Sequence, residues 1–335
     1  MKGLILKLLK DAAPSYLSGE EIAGKLKISR TAVWKNIKSL QKSGYYVEGS
    51  PRLGYRLLEV PDLLYPAEIS EGLKTRVIAK RPNLIHHFME VDSTNNRLKE
   101  LAEEGVPEGT VVIAEEQTGG KGRLGRTWIS PRSKGIWLSV LLRPAKPLEE
   151  ISVFTLLTAV AVARSIRNKF PGIVAGIKWP NDILIKGRKV CGILTEIKAE
   201  ADRLHYLITG IGLNFNSTDY DFPPELKGRA TSILLENNGQ LLHSRKELAG
   251  EILREMDVMY QKYLTSGSGE ILLQWKTLNI TLGREVTIQN LGETFSGKAL
   301  DIDQCGALIV AGNDGKKKRF VAGEIITFGT GEAAH

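Results

Sequence analysis

Apolar residues recur at helical spacing through the first forty positions and at strand spacing just after them. Gly3 to Leu9 reads as a short helix with Leu4, Leu8 and Leu9 on one side, and Pro14 breaks the chain behind it. Ser18-Gly-Glu-Glu21 has the form of a capping box, in which a hydroxyl and a carboxylate satisfy free N–H groups reciprocally. Ile22, Ala23 and Leu26 then form the inner face of a second helix. Ser29 is the expected N-cap of a third, in which Val33, Ile37 and Leu40 recur at i, i+4 and i+7. The opposite face shows Arg30, Thr31, Trp34, Lys35 and Lys38. Tyr45-Tyr-Val47 and Gly54-Tyr-Arg-Leu-Leu58 flank Gly49-Ser-Pro-Arg-Leu53, a hairpin with Arg52 at its tip. This pattern predicts a winged helix-turn-helix over residues 1–62, with Val60 to Pro66 as linker.

From about 66 to 277 strand-like and helix-like runs alternate. Leu84–Val91, Thr110–Glu116 and Ile136–Leu142 read as strands, with a helix over Thr94–Glu104. A long helix follows from Leu148 to about Phe170, stopped by Pro171-Gly172. Ala175–Lys178, Ile183–Ile185, Val190–Lys198 and His205–Leu213 are four strands joined mostly by tight turns. Ser244-Arg-Lys-Glu247 is a second capping box, opening a helix to about Tyr263. The fold class expected is α+β and multidomain, its central sheet mixed or antiparallel. Glu285–Gln289, Thr294–Ile302, Ala307–Ala311 and Lys318–Thr327 predict a small β-barrel over 280–330.

Charge sharpens this picture. Residues 1–60 hold 11 lysines and arginines against 5 acids, a net of +6, while the other 275 residues carry only +2 of the total of +8. A basic excess concentrated on a helix-turn-helix points to nucleic acid. Lys35, Lys38 and Lys42 suit phosphates, and Arg30 and Thr31 suit base edges. The longest apolar stretch, Ile151 to Ala163, is too short to span a bilayer, so no membrane role is expected. Cys191 and Cys305 show no CxxC spacing, which fits a reducing cytoplasm.

The chemistry gathers in four clusters. Gln117-Thr-Gly-Gly-Lys-Gly-Arg-Leu-Gly-Arg126 places Lys121, Arg123 and Arg126 among glycines. Gly120, Gly122 and Gly125 match G-x-G-x-x-G, yet a strand follows and no acid lies about twenty residues on, so the dinucleotide reading fails. Repelling cations on a glycine loop should be poorly ordered until a polyphosphate neutralises them. Gly176-Ile-Lys-Trp-Pro-Asn-Asp182 sets Lys178 at a strand end, a point charge for a developing oxyanion, with Asn181 and Asp182 suited to a ribose or a metal ion. Asp92-Ser-Thr-Asn95 alone reads as a helix cap. Gly210-Ile-Gly-Leu-Asn214 alone reads as a strand-end turn in which Asn214 offers donor and acceptor. No HExxH, GxSxG or His/Cys cluster competes with these.

Together, in this order, the four clusters resemble the biotin protein ligase family. Its signature loop Gly-Arg-Gly-Arg-x-Gly-Arg, followed by Trp, stands here as residues 120–126 with Trp128, and Lys-Trp-Pro-Asn-Asp matches fully at 178–182. Lys121 replaces the usual arginine, keeping the charge and losing the bidentate fork. The winged helix resembles that of bifunctional members, which also repress biotin genes, and the segment from about 280 resembles their SH3-like barrel.

The resemblance implies a two-step reaction. Biotin and Mg-ATP give biotinyl-5′-AMP and pyrophosphate, and a lysine of a biotin carboxyl carrier protein then takes the biotin. It implies Lys178 and Arg123 as catalytic residues, without a protein-only metal site; Mg2+ arrives with ATP, and Asp182 is its candidate ligand. Biotin would contact Ser93, Thr94, Asn95 and Gln117, with Gly120, Gly210 and Gly212 leaving room. Lys121, Gly122, Arg123 and Lys178 would complete that site. The adenylate would meet Arg123, Arg126, Trp128, Lys178, Asn181 and Asn214. Ser29, Arg30, Thr31, Trp34, Lys35, Lys38 and Arg52 would meet operator DNA, bound by a homodimer that biotinyl-5′-AMP promotes as corepressor. Three alternatives stay open on residues alone: an effector-binding regulator without catalysis, a lipoate-type ligase, and a ligase whose winged helix is not regulatory.

Overall fold

The computed structural model describes residues 1–144, 148–200, 203–290 and 292–328. The end of the third expected domain, at 329–330, lies outside them. The chain divides into two compact units, the second beginning at Leu64.

In the first unit, α1 (Lys2–Ala12), α2 (Gly19–Leu26) and α3 (Arg30–Lys42) precede a hairpin of β1 (Tyr46–Ser50) and β2 (Gly54–Glu59). Local chemistry fixes the helix starts. The Glu21 N–H donates to Ser18 Oγ at 3.0 Å and the Ser18 N–H donates to the Glu21 carboxylate at 3.0 Å. Ser29 Oγ accepts from the Ala32 N–H at 3.1 Å. Lys27, at φ 53°, makes the left-handed turn between α2 and α3. Val33, Ile37 and Leu40 are buried as the spacing predicts. α1 differs from its expectation. It begins at Lys2 and runs to Ala12, and its buried face is Ile5, Leu6 and Leu9, while Leu4 is 52% exposed. Periodicity in seven residues did not fix the helix phase; packing against α2 and α3 did. Leu17 pairs with Tyr55 beside the hairpin, and a Cβ at Gly54 would stand 2.3 Å from the Leu17 carbonyl oxygen. Only glycine fits there.

The second unit opens with a short turn of helix, α4 (Pro66–Ile69). Its frame is a seven-stranded sheet. The strands are β3 (Ile85–Phe88), β4 (Val111–Ala114), β5 (Gly135–Leu142), β6 (Ala175–Lys178), β7 (Asp182–Ile185), β8 (Arg188–Glu200) and β9 (Arg203–Asn214). They lie in the order β3-β4-β5-β9-β8-β7-β6, with β3 parallel to β4 and every other pair antiparallel. The sheet is therefore mixed, as expected. Helix α5 (Thr94–Glu103) sets Leu98 and Leu101 against Val112, Leu141 and Ile208.

A separate core holds α6 (Ile151–Lys169), α8 (Arg245–Ser266) and α9 (Gly269–Leu278), with α7 (Ile233–Glu236) a short turn. α6 is long and apolar enough to cross a membrane, but 67% of its apolar window is buried inside the fold. The pattern reading did not identify α9, whose ten residues carry only Ile271, Trp275 and Leu278 as an inner stripe.

The last strands are β10 (Glu285–Asn290), β11 (Glu293–Ile302), β12 (Leu308–Gly312), β13 (Lys317–Phe320) and β14 (Glu324–Phe328). They form one antiparallel sheet in the order β13-β12-β11-β10-β14. The single strand expected over Lys318–Thr327 is two strands, because the chain bends at Val321-Ala322-Gly323, where Gly323 has φ 150°. This sheet is stapled to the end of β6. Trp179 donates from its backbone N–H to Thr281 Oγ1 at 3.0 Å and from Nε1 to the Gly306 carbonyl at 3.1 Å.

A buried charge cluster anchors the segment between β4 and the glycine loop. Glu115 and Arg245, both fully buried, pair at 2.9 Å. Glu115 Oε1 also accepts from the Leu64 N–H at 2.7 Å and lies 3.1 Å from His87 Nε2. Burial alone would raise the Glu115 carboxyl, but these partners outweigh it and hold the group below the usual carboxylate range.

Candidate active site

The glycine loop hangs between Gln117 and Trp128. Its ends are tied by backbone bonds: Trp128 N–H to the Gly120 carbonyl at 2.8 Å, and Gly122 N–H to the Arg126 carbonyl at 2.7 Å. The cations have protein partners. Arg123 donates to Asn181 Oδ1 at 2.9 Å and to the Gly323 carbonyl at 3.0 Å. Arg126 makes a two-pronged bond to Glu324, at 2.5 and 2.6 Å. Lys121 donates to Asn96 Oδ1 at 2.7 Å. At the loop's tip Leu124 is 77% exposed and held at φ 56°, a left-handed conformation unusual for leucine.

Lys178 ends β6 and faces the same space. Burial holds its ammonium below the ordinary lysine range; Asp182 pulls it back up and Lys189 pushes it down. Burial likewise lowers Arg123, against the opposing pull of Asp182 and Glu324. Asp182 pairs with Lys189 at 2.7 Å, and the Lys189 ammonium lies 5.1 Å from the Trp128 ring centroid. Glu324 is lowered by the hydrogen bonds from Arg126.

Opposite these cations lies a network of uncharged polar side chains that ends on the Glu196 carboxylate. Gln117 Oε1 accepts from the Thr94 N–H at 2.8 Å and from Thr94 Oγ1 at 3.0 Å, while its Nε2 donates to Ser130 Oγ at 2.8 Å. Asn95 donates to Glu196 at 2.6 Å and accepts from Ser139 Oγ at 2.6 Å. Ser93 is the N-cap residue of α5, but its hydroxyl makes no capping bond. The simple capping explanation of Asp92–Asn95 therefore does not hold for Ser93.

Two glycines of β9 let side chains lie on the sheet. A Cβ at Gly210 would stand 2.3 Å from Asn95 Oδ1, and one at Gly212 would stand 2.4 Å from Trp128 Nε1. A Cβ at Gly120 would meet the Trp128 carbonyl at 2.3 Å. Here the room these glycines leave is taken by protein atoms. Asn214 donates to the Thr231 carbonyl at 3.0 Å.

These groups line one cavity of about 670 Å³. It brings together Ser93, Thr94, Asn95 and Gln117 with Lys121, Gly122, Arg123 and Arg126. Trp128, Lys178, Asn181, Asp182, Gly210, Gly212 and Asn214 complete the sequence-predicted set. Gly120 stands behind this wall, against Trp128 and Gln117. Sequence reasoning missed Lys189, Phe222, Arg229 and Glu324, which also line it. None carries a local motif; Glu324 arrives from nearly two hundred residues away. Cys191 is buried, its thiol pushed up by desolvation and so unreactive. Among the described residues no three His, Cys, Asp or Glu side chains gather as metal ligands.

In the N-terminal unit Arg30, Thr31, Lys35, Lys38, Lys42 and Arg52 are exposed, and Trp34 is 51% exposed. Ser29 spends its hydroxyl on the Ala32 N–H.

The biotin/lipoate A/B protein ligase family matches residues 88–214, a helix-turn-helix domain matches 3–56, and a biotin protein ligase C-terminal domain matches 281–327. The bifunctional ligase/repressor BirA of Bacillus subtilis is 43% identical over 95% of this chain and 96% of its own length. That of Escherichia coli is 30% identical over 92% of each. The biotin protein ligase of Aquifex aeolicus, solved with biotin and ATP, superposes with a TM-score of 0.62 at 30% identity, over 72% of this chain and 96% of that one. With a helix-turn-helix unit, a cation-lined cavity on a mixed sheet and near end-to-end similarity to these relatives, the chain belongs to the family of bifunctional biotin protein ligase/repressors.

Proposed function

We propose that the cavity joins biotin to ATP and passes the acyl group to a lysine of a biotin carboxyl carrier protein, and that the N-terminal unit binds operator DNA in response. The observation that carries the first half is the convergence of Arg123 and Lys178 on one half-buried space whose far wall is neutral and polar.

Two anions, a carboxylate and an α-phosphate, must meet for adenylation. Lys178 and Arg123, partly desolvated, offset that charge more strongly than they could in water. Thr94, Asn95 and Gln117 offer preset donors and acceptors to a ureido ring, and Ser93 has a hydroxyl uncommitted to capping. Trp128 lies on Gly212 with its Nε1 buried and unpaired, ready to flank the adenylate together with Asn214. Arg126 and Asn181 hold the phosphate and ribose side. Magnesium would enter with the triphosphate, since Asp182 is one carboxylate already paired with Lys189 and makes no cage alone. The loop shields the mixed anhydride from water.

Lys35 and Lys38 on α3 and Arg52 on the wing suit phosphates, with Arg30, Thr31 and Trp34 toward base edges. A biotinyl-5′-AMP-promoted homodimer would present two such helices to a two-fold operator. The chain works in the cytoplasm, where carrier and operator are found together.

The test is incubation of the purified chain with Mg-ATP, a carrier domain and either biotin or lipoate. Biotin-dependent pyrophosphate release with carrier labelling is expected. Activation of lipoate alone would move the chain to the other acyl substrate of its family, and no activation of either acid would leave an effector-binding regulator.

A further inference from the structure

A second cavity, of about 180 Å³, lies beside the first and shares its Arg123, Asn181, Ile193 and Leu194 wall. It is too small for a nucleotide and is shaped by different elements. One wall is the first two turns of α6, with Ile151, Ser152, Thr155 and Leu156; another is the bend before β14, with Val321 and Ala322. Exposure falls along it. Val321 is 50% exposed, Ile151 and Ser152 are half-buried, and Leu156 and Trp179 are 1% exposed at depth. The cavity thus reaches the surface at Val321 and meets the main site at the shared wall, where Arg123 is hydrogen-bonded to Asn181.

The lining chemistry is selective. The stem-like part is apolar, formed by Ile151, Leu156, Ile193 and Val321. Apart from Arg123 and Asn181 on the shared wall, its polar side chains include the hydroxyls of Ser152, Thr155 and Thr195, the last two 2.8 Å apart, and no carboxylate is among the described residues that line it. A carboxylate would hold an entering ammonium in its charged, unreactive form. An apolar passage ending at a guanidinium does the opposite: desolvation and a like charge both lower an amine's pKa and favour the free base, the form that attacks.

Building on the ligase reading above, we infer that this second cavity is the entry channel for the acceptor lysine. The four-carbon stem lies along Ile151, Leu156 and Val321, and the neutral ε-amine emerges beside Arg123 at the acyl carbon of the mixed anhydride. There the C–N bond forms and the acyl C–O bond to phosphate breaks. AMP leaves with the electron pair, and its phosphate takes up the surplus proton of the amine. The division of labour follows: the large cavity makes the adenylate, and the small one admits a slim side chain while excluding bulk.

Blocking the mouth tests this without touching the adenylation machinery. Ser152→Phe fills it from α6 and Val321→Trp from the opposite, exposed wall. Each variant is assayed in single turnover from preformed biotinyl-5′-AMP with three acceptors: the carrier domain at saturation, Nα-acetyl-lysine methylamide, and hydroxylamine, which needs no stem. Biotin-dependent ATP–pyrophosphate exchange is measured in parallel, and its persistence also shows that the variant is folded. The channel predicts exchange within twofold of wild type, hydroxylamine trapping unchanged, and transfer to both lysine acceptors reduced at least tenfold. Unchanged transfer to the free lysine derivative in both variants overturns the inference, even if carrier transfer falls, because that pattern means a lost docking surface. Absence of exchange in the wild type would instead overturn the ligase reading itself.

Discussion

Lys35 and Lys38 on α3 and Lys178 at the end of β6 are the same side chain in opposite surroundings. The first two stand exposed on a helix whose other face, Val33, Ile37 and Leu40, is buried. Lys178 is partly desolvated, set between Asp182 and Lys189 at a cavity wall. Exposed cations act through long-range, salt-screened attraction to a polyanion. Desolvated ones act at contact range, where the field is strong and screening weak. One chain thus carries two cationic sites that differ less in residue type than in dielectric. A third kind is Arg245, whose charge is fully buried against Glu115 and serves structure alone.

Removing each kind of cation tests the distinction. The largest effect on stability falls on the structural one. Arg245→Met strands the Glu115 carboxylate and should cost about 3–5 kcal/mol, read by denaturant unfolding; a loss near zero would show Glu115 satisfied by His87 and Leu64. Lys178→Ala should cut biotin-dependent ATP–pyrophosphate exchange by about 10²–10³-fold while operator affinity stays unchanged; retained exchange would strip Lys178 of its role. Arg123→Gly removes the loop's bonds to Asn181 and Gly323. We expect biotinyl-5′-AMP to escape roughly tenfold faster, a loss of about 1.4 kcal/mol in the hold on it, and to label bystander proteins; labelling confined to the carrier would contradict this.

Smaller still is Lys35→Ala. It should flatten the salt dependence of operator binding by about one unit of slope and leave adenylation untouched. The smallest effect is on pH. Lys178 must be protonated to work, and burial lowers its pKa, so adenylation should fail on the alkaline side earlier than for an ordinary lysine. Asp182→Asn removes the charge that pulls this pKa up and should move the alkaline limb lower; a move upward would contradict the assignment. The same lowered pKa means that the unfolded state holds more protons just below the ordinary lysine value, so this group's contribution to stability rises with pH there.

What was legible in the sequence follows the range of the forces involved. Ser18, Glu21, Ser29 and Ser244 announced their helices because a cap bonds three residues away. The sheet strands were readable from alternation and tight turns to within a few residues. The phase of α1 was not, since the choice between Leu4 and Ile5 as inner face is made by packing. The glycine loop and Lys178 stood out as local clusters. Their partners did not: Arg126 meets Glu324 and Arg123 meets Gly323 across nearly two hundred residues, through a bend that pattern reading smoothed into one strand. Gly210 and Gly212 read as room for a ligand, and the structure shows Asn95 and Trp128 lying against them.

The most direct test of the two-dielectric account is a salt titration of both activities in one preparation, from about 50 to 200 mM, with biotin and ATP saturating. Operator affinity should fall steeply, by about 10³-fold or more if six or more phosphates are contacted, while biotin-dependent pyrophosphate release changes by less than a few-fold. Parallel loss of both activities, or an operator affinity indifferent to salt, would contradict it.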